Sequence, residues 1–152
     1  MAKLSLQEAA LTGFTDVVRY RFGSDFSTNT TAAAIVKTFS VPAGTTITDA
    51  SVHIVEAFAG PSITDVKLDI GIDGDADNDN LIDNLDVDAV GYAWNSGAKL
   101  VGGSAAKGHT FTADGTINIE FTPTGAGLSV ATAGEVVIKF NFLNLNKSDG
   151  VN

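Results

Sequence analysis

DVKLDIGIDGDADNDNLIDNLD, residues Asp65 to Asp86, decides how the chain is read. In its first half Val66, Leu68, Ile70 and Ile72 alternate with Asp65, Lys67, Asp69 and Gly71. Side chains of a strand point to opposite faces in turn, so this is a strand with one buried face. Its second half holds six Asp between residues 73 and 86 and reads as a dense acidic loop that the strand feeds into.

The same period recurs outward from that stretch. From Phe14 to Phe22, Phe14, Val18, Tyr20 and Phe22 share one face, and Arg19 and Arg21 the other. A strand over about 33–41 ends at the Pro42-Ala43-Gly44 turn, where proline fixes φ and glycine frees it. The next, about Thr46 to Phe58, sets Val52, Ile54 and Phe58 against His53 and Val55 before Gly60-Pro61 turns the chain. Beyond the acidic loop, Val87–Trp94 reads as a strand. His109–Ala113 and Thr116–Thr122 read as a hairpin across Asp114-Gly115, a strong two-residue turn signal. Glu135–Leu145 is the last strand, alternating Ile138, Phe140 and Phe142 with Lys139 and Asn141.

About eight short strands punctuated by Gly, Pro and Asp predict an all-β, single-domain antiparallel β-sandwich. Eight strands in two sheets suit a jelly roll. The sandwich is expected over 14–146. Residues 1–13 form either a short helix, with Ser5 and Glu8 at capping-box spacing, or a flexible arm. Residues 147–152 read as a loose tail.

Composition narrows the function. A chain of 152 residues buries roughly 68–70% of its unfolded surface, so it needs no staple, and with no Cys it has none. A net charge of −9, with nine scattered Lys and Arg, argues against nucleic acid. No apolar run approaches the roughly 20 residues of a membrane span, and the N-terminus lacks a signal-peptide core. Neither nucleic acid nor membrane is an expected partner.

Catalysis finds little support. Gly102-Gly103-Ser104-Ala105-Ala106 lacks the final Gly and the strand-to-helix setting of a nucleophile elbow. Only His53 and His109 can transfer protons near neutral pH, and the four Glu suggest no acid/base pair by spacing. The chain reads as a non-enzyme.

Three groups are candidates for binding. Arg19 and Arg21, on an outward strand face, can dock an acidic partner or balance local carboxylates. Tyr92 and Trp94, two apart on one strand face, can form an aromatic platform for a glycan or belong to the core. Asp75, Asp77, Asp79, Asp83 and Asp86 stand at positions 1, 3, 5, 9 and 12 of a twelve-residue loop with Ile82 at position 8. Alternate side chains of a tightly turned loop converge, and Ca²⁺ takes roughly six to eight oxygens, so calcium is the candidate cofactor. Over those twelve residues the sequence resembles dockerin and thrombospondin-type calcium loops. The alternative is a solvated acidic loop that keeps the particle soluble.

A wider resemblance spans about residues 30–145. "VKLDIGIDGDADNDNLID", "VGYAWNSGAKLVGG" and "HTFTADGTINIEFTPTGAGLSVATAGEVVIKFNF" follow one another as in small tailed-phage virion proteins. The residues that carry it are Gly71, Asp73, Gly74, Asp75 and Asp77, then Thr132, Ala133, Gly134, Glu135, Val136 and Ile138. The resemblance implies a capsid decoration or cement protein, or a head-fibre-like subunit, with no enzymatic role. It further implies the major capsid protein as partner, a homotrimer, and a place on the capsid surface of the virion. A carbohydrate-binding or adhesive β-sandwich module is the alternative function.

Overall fold

The structure, a computed structural model, describes residues 12–30, 35–72, 81–94 and 109–144. The N-terminal arm, the tail and Asp75, Asp77 and Asp79 lie outside them. Among these residues there are eight strands: β1 (Thr12–Arg21), β2 (Ile35–Val41), β3 (Thr45–Ala59), β4 (Asp65–Ile72), β5 (Ile82–Asp86), β6 (Gly91–Trp94), β7 (Gly115–Thr124) and β8 (Ala133–Asn144). They form two antiparallel sheets, ordered β1-β8-β3-β6 and β2-β7-β4-β5. Two interlocked four-stranded sheets in this order are a jelly roll, as the strand count led one to expect.

Alternation sets what faces the middle. On β7, Ile117, Ile119 and Phe121 are buried while Asn118 and Glu120 are half-buried on the other side. On β8, Val136, Ile138, Phe140 and Phe142 do the same against Val137, Lys139 and Asn141. The two layers meet at the Phe39–Phe140 ring pair, centroids 5.4 Å apart, and above all at the ring of Phe121. It lies 5.2 Å from Tyr20 of β1, 5.7 Å from Phe58 of β3 and 5.1 Å from Phe26, edge-on or tilted in each case. Such offsets suit the ring quadrupoles better than a flat sandwich does. Phe26 itself comes from a 3₁₀ turn, Ser24–Phe26, that folds in after β1.

Three departures from the sequence reading have physical causes. The acidic stretch is not loop to its end, because Ile82–Asp86 pairs with β4 as β5. Asn84 adopts φ 51, and the register slips between Leu68/Leu85 and Ile70/Ile82, so one extra residue bulges out. The bulge breaks the alternation that would reveal the strand, yet it lets both Ile82 and Leu85 pack inward. Strand β6 begins only at Gly91, since Val87–Val90 crosses between the sheets: the Phe58 N–H donates to the Val87 carbonyl of this link. The hairpin across Asp114-Gly115 does not form. Residues 109–111 run beside the start of β3, with Ile47 N–H donating to His109 O and Phe111 N–H to Thr45 O. β7 pairs with β2 and β4 instead.

Gly134, at the head of β8, has φ 138, and a Cβ placed there would meet the Phe58 ring at 2.2 Å. Both the backbone and the neighbour demand glycine. Gly134→Ala is expected to cost about 1–3 kcal/mol, lowering the melting temperature by several degrees in a calorimetric scan. An unchanged melting temperature would show that the ring moves aside freely.

His109 packs edge-on against Phe111, ring centroids 4.8 Å apart, and burial lowers its pKa from the ordinary value near 6.5. The unfolded chain therefore takes up the proton first as pH falls. Stability from this group is fully present above about pH 6.5 and declines as pH drops below it. His109→Gln should flatten the pH dependence of the denaturation midpoint between about pH 7 and 5. A slope equal to that of the unaltered protein would contradict the assignment.

Candidate functional site

With the alternating apolar residues turned inward, function falls to the two outward faces. On the first sheet the register builds rows that cross every strand. Thr15 of β1, Asn141 of β8 and Asp49 of β3 form one row, with Thr15 Oγ1 2.9 Å from Asn141 Oδ1 and Asn141 Nδ2 3.4 Å from Asp49 Oδ2. Arg19, Val137, His53 and Tyr92 form another, spanning β1, β8, β3 and β6. His53 and Tyr92 stack face to face, centroids 4.0 Å apart and planes 11° apart. Tyr92 remains 65% exposed.

Below that row Arg21 stands opposite Glu135, which stands opposite Glu56. The buried carboxylate of Glu135 is held from two sides, by Arg19 Nη1 at 2.7 Å and Arg21 Nε at 2.9 Å. A buried carboxylate needs such partners, and β8 supplies it directly after Gly134. Glu56 Oε2 accepts from the Gly134 N–H at 3.1 Å, which ties β3 to the same corner. The two arginines thus balance a local acid, yet their side chains remain 61 and 62% exposed. The edge of β1 carries carboxylates of its own. Asp16 accepts from the Val17 N–H at 3.0 Å and Asp25 from the Arg21 N–H at 2.8 Å. Backbone donors engaged in this way are unavailable to a foreign strand. Burial, reinforced by the Asp25 carboxylate, pushes the Tyr20 phenol pKa upward, so it stays protonated.

The outward face of the second sheet is built differently. Thr38 Oγ1 donates to Asn118 Oδ1 at 2.8 Å across β2 and β7. Lys67 of β4 pairs with Asp86 of β5 and lies 3.4 Å from Asp65. Carboxylate oxygens of Asp65, Asp86 and Asp88 come within 4.8 Å of one another. Asp69 Oδ1 accepts from the Asn84 N–H at 2.6 Å, and Asp83 Oδ1 from Asn84 Nδ2 at 2.6 Å. Of the five carboxylates read as calcium ligands, Asp83 and Asp86 therefore sit on a strand. A cation at Asp86 would compete with Lys67 for it. Lys67 and Asp88 drew no notice in the sequence, because only the β4–β5 pairing brings them to the acidic cluster.

Trp94 ends β6 opposite Ser51, and its side chain lies outside the described set. A groove of about 490 Å³ is lined by Ser40, Val41, Pro42, Asp114, Gly115 and Thr116. Its one carboxylate, Asp114, accepts from the Ala43 N–H at 2.9 Å and serves the turn.

This architecture has been seen before, in phage capsids. One chain from the acidic stable capsid structure of Helicobacter pylori bacteriophage KHP30 superposes with a TM-score of 0.52 at 13% identity, covering 89% of this chain and 90% of that one. A chain from the cyanophage Pam1 capsid asymmetric unit gives 0.54 at 14% identity, covering 88% and 85%. At such identity the likeness is one of fold. No protein-family model and no curated protein matches the sequence.

The shared clamp predicts an order of losses. Glu135→Ala leaves two guanidiniums side by side without their acceptor and should cost about 1–3 kcal/mol in denaturant unfolding. Arg19→Ala leaves Arg21 in place at an exposed position and should cost no more than about 1 kcal/mol. Equal losses would mean that the carboxylate is not shared.

Proposed function

We propose that this chain is a structural protein of a phage virion, carried on the capsid surface and bridging neighbouring capsomers. The observation that carries the reading is the jelly roll that matches chains of two phage capsid structures over nearly their whole length. The site geometry is in keeping with it: outward ladders of polar, arginine and aromatic side chains offer contact, and the groove beside Pro42 offers one carboxylate already in use. Each copy would bury surface on the major capsid protein and add binding energy that resists internal pressure. Arg19 and Arg21 are the first contacts to consider. A homotrimer would suit the local threefold positions of an icosahedral shell. The proposal has no catalytic step and needs no metal; calcium at Asp75, Asp77, Asp79, Asp83 and Asp86 would be an addition to it.

The exposed ring of Tyr92 supports a second reading, adhesion to a glycan through a stacking platform. One set of experiments separates the two. Purified protein mixed with expanded shells that lack it should co-sediment and raise the temperature at which the shells come apart. Absence of both effects would overturn the capsid reading. Quenching of tyrosine and tryptophan fluorescence by a sugar, without shell binding, would replace it with the adhesive one.

A further inference from the structure

The two outward faces differ in kind. The second sheet shows water a field of Thr, Asn, Asp and Glu, with Lys67 set among its carboxylates. The first sheet shows Tyr92 at 65%, Val17 at 56% and Val55 at 41% exposure, beside Arg19 and Arg21. Tyrosine and arginine are enriched where proteins meet, whereas Asp, Glu and Lys are depleted there. Two valines and a tyrosine open on the same face as two arginines offer a docking partner apolar contact beside charged contact.

Charge says what covers it. The chain carries −9, yet on this face Arg19, Arg21 and Lys139 offset Glu135, Glu56 and Asp49. With Asp16 and Asp25 at the β1 edge the face keeps some negative charge, yet it is less acidic than the second sheet, where Lys67 stands against Asp65, Asp69, Asp86 and Glu120, and so it is the side an acidic partner can approach. Arg19 reaches Glu135 through Nη1 and Arg21 through Nε, and at their exposure both keep guanidinium donors toward solvent. A carboxylate is the group that such planar forks bind best.

We propose that the outer face of the first sheet is the docking face, and that its occupant is an acidic protein surface on the capsid shell. Carboxylates of the shell meet Arg19 and Arg21, and its apolar groups cover Val17, Val55 and the Tyr92–His53 stack. The second sheet then faces solvent. This rests on the capsid reading and adds an orientation to it.

The test places one negative charge on either face and measures affinity for shells lacking the protein. Val17→Asp and Tyr92→Asp should each weaken binding by about tenfold or more, as buried interface anchors do. Ser40→Asp and Thr124→Asp, which change net charge equally on the second sheet, should stay within about threefold. Thermal melts report whether each variant folds, and Val17→Ser replaces any that does not. Weaker binding by the second-sheet variants, or none by the first-sheet ones, overturns the orientation while leaving the capsid reading intact. First-sheet variants that bind shells normally but change the solution mass assign the face to a second copy. If the unaltered protein fails to bind, the capsid reading falls and the docking face with it.

Discussion

The two sheets are joined through the Phe121 ring, which touches Tyr20, Phe26 and Phe58 from three directions. Removing so large a buried side chain from a core typically costs about 3–5 kcal/mol, a large share of a domain's net stability. Everything outward depends on that junction. Once the inner faces interlock, each strand's alternate residues are forced out, and the two outer surfaces become free to differ in chemistry.

The corner around Gly134 shows how tightly core and surface are tied. A glycine that admits the Phe58 ring also delivers its N–H to Glu56. The next residue, Glu135, anchors both arginines of the neighbouring edge strand. Charged groups there are positioned by packing beneath them, so the arginines present a fixed pattern to whatever approaches. Donors held in this way lose less freedom on binding than unanchored side chains do.

Legibility in the sequence followed the regularity of the strands. Val66–Ile72, Thr116–Thr122 and Ile138–Phe142 alternate without a break in sequence, and the buried faces are as read, although on β4 Asp69 and Gly71 of the opposite face are buried as well. The acidic second half hid β5 because the bulge at Asn84 spoils the period, and a run of Asp resembles a loop. Asp114-Gly115 carries a hairpin's residues but serves a crossing between sheets, a choice made by long-range pairing rather than local chemistry. Arg19 and Arg21 were visible as an outward pair. Their acceptor was not, since Glu135 is over a hundred positions away and only the β1–β8 register brings it near.

That register has a temporal side. Strand β8 lies between β1 and β3, and among the described strands only β4 and β5 are neighbours both in the chain and in a sheet. Nearly every ladder must therefore close a long span of polypeptide, a topology that folds slowly. On the ribosome, β1 and β3 emerge before the strand that separates and joins them. The first sheet is complete only after β8 emerges, so a prematurely ended chain lacks a finished outer face on that side.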